Sequence, residues 1–283
     1  MNKLIVIDCH YILHRSKFAM RNLSHDEKRT GCIFGFLLSL CTIANKFKLD
    51  RFCFAWDSSK SFRKRIYPGY KHRDAEQKEE IVRLNKIALP QFPIVRDRVL
   101  PTIGFKNSFI QTGYEADDII CQIVTKYSNS YDIIIISRDN DLLQLLDHCC
   151  LWSLDDKKLL DRKWLKKTHG IEPKQWIDVK CLAGCESDMV EGIQGVAEKT
   201  ALKYIRGELP KHFKAFSKIE SDEGRKIAER NRQLVGLPFE GTMDVTLEDE
   251  QLSTEGFLSI CSEFGFSSFT RELDRWIELF RME

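Results

Sequence analysis

Short, almost purely apolar runs alternate along this chain with longer stretches in which apolar residues recur at helical spacing. Leu4-Ile5-Val6-Ile7, Phe52-Cys53-Phe54-Ala55-Trp56 and Ile133-Ile134-Ile135-Ile136 have the length and unbroken hydrophobicity of buried strands. Ile33 to Phe47 and Ala116 to Tyr127 have helical length and spacing. Strand-sized runs interleaved with helix-sized ones predict an α/β fold with a largely parallel sheet. Near the C-terminus, Leu273, Trp276, Ile277 and Phe280 recur at i, i+3, i+4 and i+7, with Glu272, Asp274 and Arg275 between them. That spacing predicts a packed amphipathic helix rather than a peptide that docks elsewhere.

Each predicted strand runs into an aspartate: Asp8, Asp57 and, past Ser137-Arg138, Asp139 with Asp141 close behind. One such aspartate is ordinarily a helix cap or a turn residue. In a parallel sheet, however, the ligand crevice lies outside the carboxyl ends of the strands, so these would converge on one edge. Gly113-Tyr114-Glu115-Ala116-Asp117-Asp118 opens a further helix whose apolar face is Ile119, Ile120, Ile123 and Val124. Acids in a first helical turn complement the helix dipole, which accounts for one or two of these but not for the whole gathering. Crowded carboxylates raise one another's pKa unless a cation neutralises them. All-oxygen ligation selects hard ions such as Mg²⁺ or Mn²⁺. Two ions about 4 Å apart suit in-line attack on a phosphodiester.

Composition narrows the field. A chain of 283 residues with 43% hydrophobic content, 7 Pro and 15 Gly can bury a full core, as one large domain or two intimate ones. The longest apolar stretch, Ile33 to Ala44, falls short of the roughly twenty residues a bilayer span needs. One Lys, four apolar residues and then Asp8 do not resemble a secretory signal, so a cytoplasmic protein is expected. Ten cysteines without a C-x-x-C pair are expected to be buried free thiols; His148, Cys149 and Cys150 are too close in sequence to converge on one ion. Net charge is only +2, yet with Asp8, Asp57, Glu115, Asp117, Asp118, Asp139, Asp141 and Asp188 set aside, basic residues outnumber acidic ones by ten. An acidic crevice in a basic exterior points to a metal-dependent nuclease.

Two segments fit contact with a nucleic acid. Lys60 to Arg73 contains Arg63, Lys64, Arg65, Lys71 and Arg73 without an acid, and interleaves Tyr67 and Tyr70, which can stack on unpaired bases. Gly192-Ile193-Gln194-Gly195-Val196-Ala197-Glu198-Lys199-Thr200 lies between two helical patterns. It would present backbone N–H groups to a phosphate at a helix start, as a helix-hairpin-helix does.

Taken in order, these motifs resemble the 5′-3′ exonuclease and flap endonuclease family, in its stand-alone phage or bacterial form. They are Asp8, F-A-W-D at Asp57, Y-P-G-Y-K-H-R from Tyr67 to Arg73, G-Y-E-A-D-D from Gly113 to Asp118, S-R-D-N-D from Ser137 to Asp141 and G-I-Q-G-V-A-E-K-T-A from Gly192. Phe257 to Trp276, with its F-G-F-x-S core, also resembles the family's closing helix. The resemblance implies a parallel-sheet, PIN-like α/β core over residues 1–180, a helical arch near 60–95 and a C-terminal helix-hairpin-helix portion over 181–283. It implies a two-metal phosphodiesterase, using Mg²⁺ or Mn²⁺, that acts as a monomer on DNA with a free 5′ end or 5′ flap and also on RNA–DNA primers. Asp8, Asp57, Asp117, Asp118 and Asp139 would line one metal site, with Glu115 acting through water; Asp139, Asp141 and Asp188 would serve the other. Arg63 would reach the scissile phosphate, Tyr70, Lys71 and Arg73 would belong to the arch, and the hairpin would hold duplex, often with K⁺.

One position departs from the family's G-D-x-x-D-N: here Gly184-Cys185-Glu186-Ser187-Asp188-Met189 stands. A thiol replaces the first carboxylate of the second site, and sulfur is a poor ligand for Mg²⁺. Glu186 and Glu191 are the candidates to stand in. Glu191 also occupies a position commonly Pro, and Ala197 replaces a hairpin Gly. The departure implies weakened or Mn²⁺-dependent cleavage, and leaves open a branched-DNA-binding protein that has lost efficient cleavage, or a ribonuclease of the same class. A phosphatase or kinase is set aside for want of a Gly-rich phosphate loop.

Overall fold

The computed structural model describes residues 2–48, 51–72 and 79–283. Its centre is a six-stranded sheet of β1 (Asn2–Asp8), β2 (Arg51–Trp56), β3 (Ser108–Ile110), β4 (Tyr131–Ile136), β5 (Cys150–Trp152) and β6 (Leu159–Leu160), in the order β3-β2-β1-β4-β5-β6. All neighbours are parallel except β6, which returns antiparallel along β5.

Both faces of this sheet are buried, which explains the unbroken apolar runs. On β1, Ile5 and Ile7 enter one core while Leu4 and Val6 enter the other; on β4, Ile134 and Ile136 alternate with Ile133 and Ile135 in the same way. Helices Cys9–Ala19, Gly31–Phe47, Thr254–Phe264 and Leu273–Phe280 cover the first face, and Ala116–Tyr127, Trp176–Ala183 and Glu198–Ile205 the second. The chain moves outward from β1 to β2 and β3, then crosses back to β4 on the other side of β1. Strand order thus reverses at β1 and β4, where an open α/β sheet leaves a crevice at its carboxyl ends.

Two features differ from the sequence-based division of the chain. The cut at 180/181 falls inside the helix Trp176–Ala183. Residues beyond 253 complete the α/β core rather than extending a separate portion: Phe257, Trp276 and Phe280 are buried with Phe52 and Phe54, and the Phe52 and Phe280 rings stack at 5.9 Å. The expected amphipathic helix is Leu273–Phe280, seated by Trp276 and Phe280.

Within the stretch expected as an arch, helix Glu79–Ala88 lies against helix Cys9–Ala19, with Leu84 and Ala88 buried and Lys17 Nζ donating to Asn85 Oδ1 at 2.9 Å. Arg73 lies outside the described residues. All ten cysteines are free thiols, and all but Cys150 are buried. Among the described residues, no helix is long and apolar enough to cross a membrane.

Candidate metal centre

The aspartates at the sheet edge are fastened by the turns they cap. Asp8 Oδ1 accepts the Tyr11 N–H at 3.0 Å, opening helix Cys9–Ala19, and Oδ2 accepts the Ser137 hydroxyl at 2.8 Å. Ser137 Oγ in turn accepts the Asp139 N–H at 3.1 Å, and Asp139 Oδ1 accepts the Asp141 N–H at 2.8 Å. The end of β1 is thereby tied to the turn after β4. Asp57 Oδ1 accepts the Ala116 N–H at 2.8 Å, tying the end of β2 to the helix that carries Asp117. The ordinary capping role of such aspartates is real here, and it places them in one crevice.

Their electrostatics show that they share it. Burial, then Asp57, pushes the Asp8 carboxyl up to about 7, with Asp139 adding to the rise. Burial pushes Asp117 well above its ordinary value, and Asp139, Asp8 and Asp57 push further. Asp139 is raised to about 6 by burial and by Asp141. Three buried carboxylates whose charge is disfavoured by burial and by their acidic neighbours form a place where a divalent cation is strongly favoured.

A second set is tighter. Among the described residues, the one group of three ligating atoms lying within 4.8 Å of one another comes from Asp141, Cys185 and Asp188. Lys180 Nζ lies 2.9 Å from Asp141 Oδ1. The Cys185 thiol lies 3.6 Å from Asp141 Oδ2 and 3.0 Å from Ser187 Oγ, and burial beside Asp141 pushes it up to about 11. Glu186 and Glu191, the residues expected to stand in for the missing carboxylate, are both exposed and outside this set.

Between the two sets runs a buried polar brace, and it changes three assignments. Asp118, expected among the ligands of the first site, is wholly buried and its two oxygens already accept four hydrogen bonds. Two come from Arg63 at 2.7 Å each, one from the Glu115 N–H and one from the Phe239 N–H. Arg63, expected at the scissile phosphate, is 2% exposed; its Nε donates to the Leu234 carbonyl and its guanidinium lies over the Phe239 ring, 4.9 Å from the centroid. It joins the catalytic core to the helix Asp222–Val235 instead of facing a substrate. Tyr70, expected to stack on a base, is 1% exposed, its hydroxyl 2.9 Å from Glu115 Oε2 and 3.1 Å from Asp188 Oδ2.

Lys71 occupies the mouth of the brace. Its backbone is left-handed at φ 47°, its N–H donates to the Asp188 carbonyl at 2.8 Å, and its half-exposed Nζ lies 2.9 Å from Glu115 Oε2 and 3.5 Å from Asp188 Oδ1. Burial works against its charge, but Glu115 and Asp188 raise its pKa overall. Burial likewise opposes ionisation of Glu115, yet Lys71 and Arg63 hold that carboxyl below its ordinary value.

Of the remaining contact residues, Lys64 is exposed and Tyr67 is half-buried under the Arg230 guanidinium, 4.7 Å from the ring centre. The hairpin is built as expected between helices Trp176–Ala183 and Glu198–Ile205. Gly192 sits so close to the first that a Cβ would fall 2.2 Å from the Ala183 carbonyl carbon, and Gly195 turns at φ 82°. Lys199 is exposed in the first turn of the second helix, with Thr200 half-buried beside it.

Four contributors were not singled out in the sequence. His10 Nδ1 accepts the Asp57 N–H at 3.2 Å, Ser137 links Asp8 to Asp139, and Lys180 pairs with Asp141. Buried Asn231 ties the hairpin down through the Cys181 and Glu191 carbonyls. His10 and Ser137 sit within two residues of a flagged aspartate, a local signal; Lys180 and Asn231 carry none. A cleft of about 410 Å³ opens beside Asp57, lined by His10, Trp56, Phe92, Arg96 and Thr112 among others.

Sheet, crevice and hairpin together define an α/β domain of the resolvase-like class. The family model for the N-terminal resolvase-like domain of 5′-3′ exonucleases matches residues 3–170. A 5′-3′ exonuclease of Bacillus subtilis (strain 168) is 32% identical over 220 residues, 72% of this chain and 70% of its own length. A 5′-3′ exonuclease of Buchnera aphidicola subsp. Schizaphis graminum is 29% identical over 261 residues, 90% of this chain and 83% of its own. The thermostable DNA polymerase I of Thermus thermophilus is 26% identical over 285 residues, but this chain spans only 33% of its length. Among solved structures, the T5 D15 protein co-crystallized with metal ions superposes with a TM-score of 0.70 at 21% identity, covering 99% of this chain and 100% of that one. The catalytic core of Rad2 in complex with a DNA substrate does so at 0.59 and 16%, covering 99% and 92%. The chain belongs to the 5′-3′ exonuclease family.

Proposed function

We propose that this protein is a divalent-metal-dependent 5′ nuclease that hydrolyses phosphodiester bonds of DNA bearing a free 5′ end or a 5′ flap, and of RNA primers annealed to DNA. The observation that carries the reading is the convergence of Asp8, Asp57, Asp117 and Asp139 at the strand-order reversal, where burial and the neighbouring carboxylates raise Asp8, Asp117 and Asp139. Their donor set is all oxygen, which fits Mg²⁺ or Mn²⁺. Asp8, Asp57, Asp117 and Asp139 would hold one such ion, and Asp139, Asp141 and Asp188 would serve a second divalent ion, at a set that also includes the Cys185 sulfur; when bound, divalent ions supply an activated water and neutralise charge on the phosphate.

The protein's own part is positioning. The Ser137 link holds Asp8 and Asp139 in one geometry, and the Ala116 N–H fixes Asp57. Lys71, held by Glu115 and Asp188 yet half-exposed, offers an ammonium to a phosphate oxygen at the mouth. The cleft beside Asp57, with Arg96 on its wall, suits the 5′ strand, while Lys64 and Lys199 suit phosphates of the duplex. At the hairpin, the Gln194 carbonyl already accepts from the Lys218 ammonium at 2.9 Å, which supports a turn that attracts cations, K⁺ among them. Ten unpaired thiols support action in a reducing cytoplasm.

Substrate class is tested by comparing a 5′-flap duplex with the same duplex whose 5′ end is blocked by a bulky adduct. Cleavage of the first and strong loss on the second supports a free-5′-end nuclease. Equal cleavage of both, or cutting of RNA hairpins in preference to either, overturns it.

A further inference from the structure

The second donor set is not a weakened copy of an oxygen site; it has its own chemistry. Gly184–Cys185 pairs antiparallel with Val190–Glu191, with Cys185 opposite Val190, so the four intervening residues turn back on themselves. The Asp188 N–H donates to the Cys185 carbonyl at 3.3 Å, and the Met189 N–H to that of Glu186 at 3.1 Å. This small ladder holds the Cys185 sulfur and the Asp188 carboxylate together, facing Asp141. Cys185 is 3% exposed.

For a hard ion this arrangement is deficient. Mg²⁺ demands oxygen ligands in near-octahedral order, and the set supplies two carboxylates and a sulfur. The Lys180 ammonium, 2.9 Å from Asp141 Oδ1, competes for one of those carboxylates. Neither exposed glutamate completes the set. For a borderline or soft ion the same set is well matched, since two carboxylates and a thiolate give three donors of suitable kind.

Resting on the reading of this crevice as a metal centre, we propose that Asp141, Cys185 and Asp188 form a mixed oxygen–sulfur site that takes a thiophilic divalent cation, such as Co²⁺, Zn²⁺ or Cd²⁺, through the Cys185 sulfur. The thiol proton leaves to solvent as the sulfur–metal bond forms, with no change of oxidation state. The two metal positions of this nuclease then differ in kind: an oxygen site at Asp8, Asp57, Asp117 and Asp139, and a sulfur-containing one beside it.

The test is direct binding, read without cleavage. The full chain is titrated with Co²⁺ and followed by thiolate-to-cobalt charge-transfer absorption in the near ultraviolet. The expected result is a saturable band, abolished in Cys185→Ser and unchanged in Cys150→Ser, the control at the one cysteine that is not buried. Cys185→Asp should lose the band and bind Mg²⁺ about tenfold more tightly or better, a gain of roughly 1.4 kcal/mol. Should Cys185→Ser fail to fold, the cadmium NMR resonance of the wild-type protein reports sulfur ligation on its own. A saturated protein without the band, a band indifferent to Cys185→Ser, or a cadmium resonance typical of all-oxygen ligation overturns the proposal. Each of these leaves Asp139-dependent cleavage untouched, so failure of the sulfur site is distinct from failure of the nuclease reading.

Discussion

Arg63 and Asp118 are joined by two parallel hydrogen bonds of 2.7 Å, and both are sealed from solvent, at 2% and 0% exposure. The planar guanidinium fork matches the carboxylate; Arg63 Nε also donates to the Leu234 carbonyl, and the Asp118 oxygens also accept the Glu115 and Phe239 N–H groups. Removing one partner strands the other's charge in the interior. Arg63→Ala is therefore expected to cost about 3–5 kcal/mol of stability in a denaturant titration. A phosphate-contact role would instead lower cleavage while leaving the unfolding midpoint in place.

The acid crevice makes the metal-free protein pH-sensitive in a defined direction. The folded pKa of Asp8, about 7, and of Asp139, about 6, lie above the ordinary value of 3.8, so the folded state holds those protons more tightly than the unfolded chain. Stability contributed by the protonated forms is complete near pH 4 and is lost as pH rises to about 7. Thermal melts in a chelator should show a falling transition across that range, and a divalent ion should restore it most at the high end. A rising transition across the same range would contradict the shared crevice.

Asp139→Asn separates function from stability. It removes one charge from the crowd, so the chelated variant should melt above the chelated wild type, while flap cleavage falls by ~10²-fold or more. Loss of both activity and stability would mark Asp139 as a structural cap alone.

At the hairpin, two substitutions should behave oppositely. Lys199→Ala removes an exposed cation, so it should leave melting unchanged and reduce the salt-dependence slope of duplex binding by about one. Gly192→Ala drives a methyl against the Ala183 carbonyl and should destabilise by about 1–3 kcal/mol. The reverse pattern would mean the hairpin is not the duplex contact.

The architecture was legible where burial leaves a local trace. Leu4 to Ile7 and Ile133 to Ile136 are apolar at every position because alternate residues enter opposite cores, and helix Ala116–Tyr127 shows its apolar face directly. The aspartates were legible because strand ends in a parallel sheet must meet. The burial of Arg63, Tyr70 and Asp118 was not legible, because nothing in a run of basic and aromatic residues tells whether it faces solvent or a buried acid. That depends on Leu234 and Phe239, far along the chain. The return of Phe257, Trp276 and Phe280 to the first core is likewise a long-range outcome, invisible to a window of ten or so residues.

The most direct measurement is cleavage of a 5′-labelled flap duplex by the full chain in Mg²⁺, in Mn²⁺ and in a chelator, beside Asp139→Asn. The crevice predicts products in at least one of the two ions, none in the chelator, and at most traces from the variant. Tight flap binding without product under either ion, or cutting that survives chelation or Asp139→Asn, would contradict it.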